Sequence, residues 1–298
     1  SICISLCHER AEILLDEAVQ LLHVYKNRFS ANDEDSELMS INHLAGIESV
    51  SVHPELFELI ELGKYHSLAE DSHLNITIGP LVQTWRIGFS DARLPSKEEI
   101  QHALCLTDPN LLELNPEDCS VFLTKKGMKL DLGALAKGYI ADKIKDYLLS
   151  QGVTSALINL GGNVLTIGQN AVSQRAWRIG IQNPKLSRGN HSAILAVTNQ
   201  SVVTSGIYER TLTVEGQNYH HILDRKTGYP IENQLASLTI VSDKSVDGEI
   251  WTTRLFGESP TSILSQIEQQ TGIEALIITQ DSQLFCSSGL LEQLIPAS

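Results

Sequence analysis

The sequence predicts an α+β fold. Helical and strand-like stretches mix along the 298 residues without strict alternation, and no internal repeat is visible. No Pro/Gly/Ser-rich linker cuts the chain, so residues 1–298 read as one domain, with two intertwined subdomains as the alternative.

An alternating strand opens the chain through Ile2, Ile4 and Leu6. Over 9–28, apolar Ala11, Leu14, Leu15, Ala18, Leu21, Leu22 and Tyr25 form one helical stripe. A polar, acidic loop over 29–37 leads into a short helical piece ending at Ile41 and Asn42. Pro54 starts a second helix, predicted to bury Leu56, Leu59, Ile60, Leu62, Tyr65 and Leu68. A short exposed helix is predicted over 95–103, and a hairpin over 121–130 around Lys125, Lys126 and Gly127. A strand ending near Leu130 is followed by an amphipathic helix over 136–149. Strands are predicted at 156–160, 164–168, 177–182, 192–197 and 201–206. A hairpin then pairs 210–214 with 219–223 around Glu215 and Gly216. The remainder reads as a strand at 237–242, helices over 248–255 and 260–270, and a strand at 275–279.

Hydrophobic residues make up 42% and charged residues 19%, the balance of a globular chain. Lys plus Arg number 22 against 36 Asp plus Glu, for a net charge of −14. Nucleic-acid binding needs clustered cations against phosphates, and no such run exists here. No apolar run is long enough for a membrane span, and no signal peptide stands at the start. The cysteines, at 3, 7, 105, 119 and 286, are odd in number and fit no zinc spacing, which tilts the expectation towards a reducing compartment.

The richest stretch is Asp131, Leu132, Gly133, Ala134, Leu135, Ala136, Lys137, Gly138, Tyr139. A helix N-terminus offers unpaired N–H groups and partial positive charge, which suits phosphate, and Lys137 adds a mobile cation there. Asp131 is placed to bind a donor group on a ligand or to help hold a metal. The plain alternative is a strand–turn–helix junction with a capping Asp. Three later segments share a strand followed by small residues and one or two polar groups. They are Asn159 to Asn163 with Gly161 and Gly162; Thr204, Ser205, Gly206; and His221 to Gly228 with Asp224 and Thr227. Glycine there permits positive φ and close approach of a ligand, although each segment alone is an ordinary turn. His220 and His221 point to opposite faces of a strand, so at most one of them faces a site.

Together these segments closely resemble the ApbE family, the FAD:protein FMN transferases, over nearly the whole chain and in the right order. The matching blocks are Phe29 and Ser30 with Asp35, Ser36, Glu37, Leu38 and Asn42; Gly79, Pro80, Leu81, Val82 and Trp85; the Asp131 to Tyr139 block; Gly161, Gly162 and Asn163; Thr204, Ser205 and Gly206 with Tyr208, Glu209 and Arg210; and His221, Asp224, Thr227 and Gly228. The resemblance implies an ApbE-like (T-fold-like) architecture with mainly antiparallel sheets, packed helices and FAD in a central cleft. It implies a Mg2+-dependent reaction that cleaves the FAD pyrophosphate, releases AMP and joins FMN by a phosphoester to a Thr or Ser of a partner flavoprotein. The alternatives are a Mg2+-dependent FAD pyrophosphatase, with water as acceptor, and a non-catalytic FAD-binding protein.

Mapped onto this chain, the resemblance gives the metal the backbone carbonyl of Ala134 and the side chains of Glu249 and Thr253. Glu249 stands where Asp is usual, which moves the carboxylate by about 1.5 Å, and Asp247 is the alternative ligand. Ala136, Lys137, Gly138 and Tyr139 fall to FAD phosphate or ribose, Asp131 to the adenosine side, and Gly161, Gly162, Thr204, Ser205, Gly206 and Thr227 to the FAD cleft. Tyr208 or Trp85 is a stacking group. His221 is the general base for the acceptor hydroxyl, and Asp224 orients it or the metal. Leu74 and Asn75 stand where the family commonly carries Phe and Asp. The expected compartment is the cytoplasm, with a membrane-anchored extracytoplasmic form, through a missing N-terminal segment, as the alternative.

Overall fold

The computed structural model describes residues 2–296. It is a mixed α+β fold with mainly antiparallel sheets and, among the described residues, eight α-helices. The helices are α1 (Ala11–Phe29), α2 (Glu37–His43), α3 (Pro54–Leu68), α4 (Gly79–Trp85), α5 (Lys97–Leu104), α6 (Ala136–Ser150), α7 (Ser245–Leu255) and α8 (Pro260–Ile267). The first strands are β1 (Ile2–Leu6), β2 (Val50–Ser51), β3 (Leu112–Asn115), β4 (Ser120–Leu123), β5 (Ala156–Leu160), β6 (Asn163–Ile167), β7 (Trp177–Gln182) and β8 (His191–Val197). After them come β9 (Ser201–Gly206), β10 (Thr211–Val214), β11 (Gln217–His220), β12 (Leu235–Ser242), β13 (Ile273–Thr279), β14 (Leu284–Cys286) and β15 (Leu294–Pro296). The chain divides into two compact units, each assembled from separated stretches. One comprises Ser1–Leu22, Lys137–Gly206 and Asn233–Ser298, and the other His23–Ala136 and Ile207–Glu232.

The first unit is organised on an antiparallel seven-stranded sheet in the order β1-β5-β6-β9-β12-β13-β14. Beneath it, Leu14 and Ala18 of α1 and Ile144 and Leu148 of α6 pack on Ile158 and Leu165. A second sheet, β15-β8-β7, sets Ile181, Leu195 and Val197 against Val202, Val241 and Leu276. Strand β12, an interior strand of this sheet, is buried at every position, its Ser237, Thr239 and Ser242 included. Strands β5 and β6 are joined by Gly161 and Gly162 alone, with φ of 68° and 97°. A two-residue turn of that hand needs positive φ at both positions, hence two glycines.

The second unit holds the sheet β2-β4-β3, the hairpin β10-β11 and helices α2 to α5. Its helices start where local chemistry dictates. Ser36 caps α2, Pro54 opens α3, and Ser96 with Glu99 forms a reciprocal capping box on α5. Leu81 and Trp85 of α4, Ile100 and Ala103 of α5, and Leu223 form one core.

Three expectations need correction. Tyr65 and Leu68 are exposed, at 70% and 45%. The buried stripe of α3 runs through Leu56, Ile60, Gly63 and Ser67, and two residues past Gly63 is about 200° round the helix. The hairpin near 121–130 pairs β4 with the earlier β3, and Lys125 to Met128 is only a turn. Leu130 therefore ends no strand, and the helix α4 occupies a stretch that carried no helical stripe.

Candidate active site

In the second unit, the approach to Asp131 is held by side-chain and backbone bonds in place of a ladder. The Asn42 carboxamide clamps Leu130 from both sides, accepting its N–H at 2.7 Å and donating to its carbonyl at 3.1 Å. The Asp131 N–H donates to the Ile76 carbonyl at 2.8 Å, and its Oδ1 accepts from the Gly133 N–H at 2.8 Å. Burial pushes the Asp131 carboxyl above its usual range, opposed by that N–H and by the charge of Arg210. The N–H groups of Leu135 and Ala136 both go to the Leu132 carbonyl, at 2.9 and 2.8 Å. The start of α6 thus has fewer free donors than a bare helix end. Ala134 is half-buried within this turn.

Asp131 is also on the wall of a cleft of about 360 Å³ within this unit, lined by Asn32, Gln83, Arg86, Phe89 and Lys129 among others. That is a small ligand pocket by volume. Arg86 is locked there, its guanidinium 4.1 Å over the Phe89 ring and bonded to Gln83 and Asp91. No local pattern marks Arg86 or Lys129, and sequence reasoning missed both. Asn42 was legible only as part of a block.

His221 follows β11, and its ring Nδ1 lies 3.4 Å from the Arg210 carbonyl. His220 is turned away, its Nε2 on the Ile231 carbonyl at 2.9 Å, and burial lowers its pKa. Asp224 shapes its own turn: Oδ1 accepts from the Lys226 N–H at 2.6 Å, and its carbonyl accepts from Gly228. Gly228 needs its φ of 76° there. Thr227 Oγ1 accepts from the Tyr229 N–H at 3.3 Å. Arg225, not foreseen, donates to the carbonyls of Ser67, Ser72 and Leu74 at 2.6, 3.2 and 3.1 Å. Trp85 is 0% exposed, and its indole N–H donates to the Gly228 carbonyl at 2.8 Å. It is therefore a core anchor for this turn and cannot stack on a ligand. Tyr208 is half-buried.

In the first unit, Glu249 is 4% exposed. Its Oε1 receives Asn163 Nδ2 at 2.9 Å and lies 3.3 Å from Lys137 Nζ, whose side chain is 46% exposed. Thr253 is one turn further along α7, half-buried, on the same face as Glu249. Asp247 lies about 200° from Glu249 around the helix. Burial raises its pKa, with Lys244 and Asp243 acting in opposite directions. Gly138 has no room for a side chain, since a Cβ would meet the Ser245 carbonyl oxygen at 2.5 Å. Tyr139 is buried with Lys143 over its ring. A Cβ on Gly161 or Gly162 would meet nothing within 4 Å, so this turn is open. Thr204 and Ser205 are half-buried on β9, Thr204 Oγ1 lies 2.8 Å from Thr239 Oγ1, and Gly206 is buried.

The structure thus brings Lys137, Asn163 and Glu249 together in one unit, with Thr253 a helical turn away. In the other it sets Asp131 on the wall of a cleft that also carries Arg86, Lys129 and Glu34. Among the described residues, no group of three or more His, Cys, Asp or Glu forms a metal cage.

A family model described as the ApbE family matches residues 1–277. The chain is 43% identical over 277 residues to the FAD:protein FMN transferase of Klebsiella pneumoniae (strain 342), spanning 93% of this chain and 85% of the relative. It is 32% identical over 292 residues to that of Treponema pallidum (strain Nichols), spanning 94% and 81%. The crystal structure of the ApbE protein of Thermotoga maritima MSB8 matches with a TM-score of 0.88 at 27% identity, covering 98% of this chain and 94% of that one. The flavin transferase ApbE of Vibrio cholerae matches with a TM-score of 0.82 at 25% identity, covering 97% and 92%. On the family match over most of its length, and on relatives this close, the chain belongs to the ApbE family.

Proposed function

We propose that this chain is a Mg2+-dependent FAD:protein FMN transferase acting on a Thr or Ser of a partner flavoprotein. The observation that supports this reading best is the buried Glu249 carboxylate, paired with Lys137 and one turn from Thr253. A carboxylate and a hydroxyl at i, i+4 are hard oxygen donors, the set Mg2+ prefers, and such sites are completed by water or carbonyls without a cage of carboxylates. The helical pairing favours Glu249 with Thr253 over Asp247, which points elsewhere on α7. Mg2+ held there would neutralise charge on the phosphoryl oxygens.

Lys137 would hold a phosphate oxygen with its exposed ammonium, and the cleft beside Asp131, Arg86 and Lys129 would hold part of the dinucleotide. The acceptor hydroxyl oxygen bonds to the FMN-side phosphorus, the bond to the bridging oxygen breaks, and AMP leaves with the electron pair. His221 takes the hydroxyl proton, as an imidazole does near neutral pH. Asp224 and Thr227 keep the turn after His221 in shape.

The test is incubation with FAD and Mg2+, with and without an acceptor flavoprotein, recording acceptor mass and AMP. A mass gain of one FMN together with AMP is the expected result, and His221→Ala should abolish it while retaining FAD. AMP and free FMN without a mass gain would make the enzyme a pyrophosphatase. Bound FAD with neither product would make it a flavin-binding protein.

A further inference from the structure

A file of buried polar side chains ends on Glu249. Ser201 Oγ donates to Ser245 Oγ at 3.0 Å, Ser245 Oγ to Asn163 Oδ1 at 2.6 Å, and Asn163 Nδ2 to Glu249 Oε1 at 2.9 Å. Ser201 and Ser245 are fully buried, and Asn163 is 1% exposed. The members come from β9, the first turn of α7, and the first residue of β6. Asp142 of α6 holds the same turn from its backbone side, accepting from the N–H groups of Ser245 and Val246 at 2.7 and 2.9 Å.

The direction of this file follows from the inventory of donors. An ionised carboxylate only accepts, so Asn163 must turn its NH2 group to Glu249. Its carbonyl oxygen then faces Ser245, which commits that hydroxyl's single proton, and Ser201 must give its own proton to Ser245. Every link is satisfied in one orientation. Packing alone does not call for this, since apolar side chains of similar volume fill a core at least as stably as a buried polar network. Glutamate also has one more rotatable bond than aspartate, and a fixed donor on one oxygen removes that freedom. The contacts of the carboxylate with Asn163 and Lys137 both fall on Oε1, and neither uses Oε2.

We infer that Asn163, oriented through Ser245 and Ser201, is a positioning residue that holds the Glu249 carboxylate by Oε1 and leaves Oε2 for a divalent cation. This rests on the reading of Glu249 as a metal ligand.

The experiment is a titration of the protein with Mn2+, followed by electron paramagnetic resonance of the free ion, so that no turnover is needed. Side chains that hydrogen-bond a metal ligand are worth about 10–100-fold in affinity, so Asn163→Ala should weaken Mn2+ by at least about tenfold. In a Glu249→Ala background the same change should add nothing. FAD binding measured without metal should be unaltered in Asn163→Ala. Ser201→Ala, three hydrogen bonds from the carboxylate, should weaken Mn2+ less than Asn163→Ala and fold as the parent does; it stands in if Asn163→Ala is insoluble. If Glu249→Ala loses Mn2+ while Asn163→Ala and Ser201→Ala bind it as the parent does, the positioning role is wrong and the ligand reading stands. If Glu249→Ala itself binds Mn2+ normally, both are overturned.

Discussion

Gly138→Ala tests how tightly α6 closes on α7. A Cβ at this position would lie 2.5 Å from the Ser245 oxygen, and 2.7 Å from both the Ser245 carbonyl carbon and the Val246 Cα. All three are backbone atoms, so no rotamer change relieves the clash. Ordinary contact begins near 3.4 Å, so the two helices must part by about 1 Å. Overpacking of this kind costs about 1–3 kcal/mol, and a rigid backbone neighbour places it at the upper end. Alanine recovers about 1 kcal/mol of helix propensity over glycine, leaving a net loss of about 2 kcal/mol. The displacement also strains the two bonds from Ser245 and Val246 to Asp142. Urea unfolding followed by circular dichroism should show that loss with an unchanged m-value. Cation affinity should fall too, because α7 carries Glu249. A Gly138→Ala protein as stable as its parent, or more so, would refute the argument, because propensity would then be acting unopposed.

Asp142 gives a pH prediction. Burial raises its carboxyl from 3.8 to about 6, against the Ser245 and Val246 N–H bonds and the nearby Lys145, with Asp247 adding to the rise. The folded state therefore binds this proton more tightly than the unfolded chain. Its contribution is fully present below pH 3.8 and is lost as pH rises through about 6, by on the order of 2 kcal/mol once partial solvent access is allowed for. In urea titrations across that window the parent should lose stability relative to Asp142→Asn, and a parent that gained would reverse the sign. Arg225→Met leaves three carbonyls without their guanidinium donor and should cost about 2–4 kcal/mol in thermal unfolding, with Arg225→Lys recovering part; an unchanged Tm would mean the bonds are dispensable. Thr253→Ala should raise the Mg2+ concentration needed for half-maximal AMP release, and an unchanged titration would place the metal elsewhere.

The most strongly periodic elements were legible to within a residue or two, whereas α7 starts at Ser245 ahead of the expected 248, α8 stops at Ile267 short of 270, and β11 stops at His220 short of 223. The helix expected over 136–149 is Ala136–Ser150, and the strand expected at 201–206 is Ser201–Gly206. Each carries a periodicity that burial enforces. Helix α4 was not legible, because it is only seven residues long and ends on Arg86 in a left-handed conformation that favours glycine. What stabilises it lies far along the chain, in the bond from Trp85 to Gly228. The Lys125, Lys126, Gly127 turn signal was real, yet the pairing partner of β4 lay before it, across a turn closed by Cys119 at φ 53°. Local composition marks a turn; it does not say which strands the turn joins.

The candidate site divides along the same line. Small residues between Asp131 and Tyr139 read as room for a ligand, and part of that room belongs to the protein itself. Gly138 is small because the Ser245 backbone presses on it, and the N–H groups of Leu135 and Ala136, where α6 begins, already serve the Leu132 carbonyl. Lys137 is the member of that block whose side chain reaches both solvent and the buried Glu249. Asn163 shows the opposite case. It closes a glycine turn that any hairpin of this hand would need, and its chemistry becomes visible only when Glu249, eighty-six residues later, folds back onto its amide. A side chain whose function depends on a partner that distant leaves no spacing to read, and the bond itself is the first sign of the role.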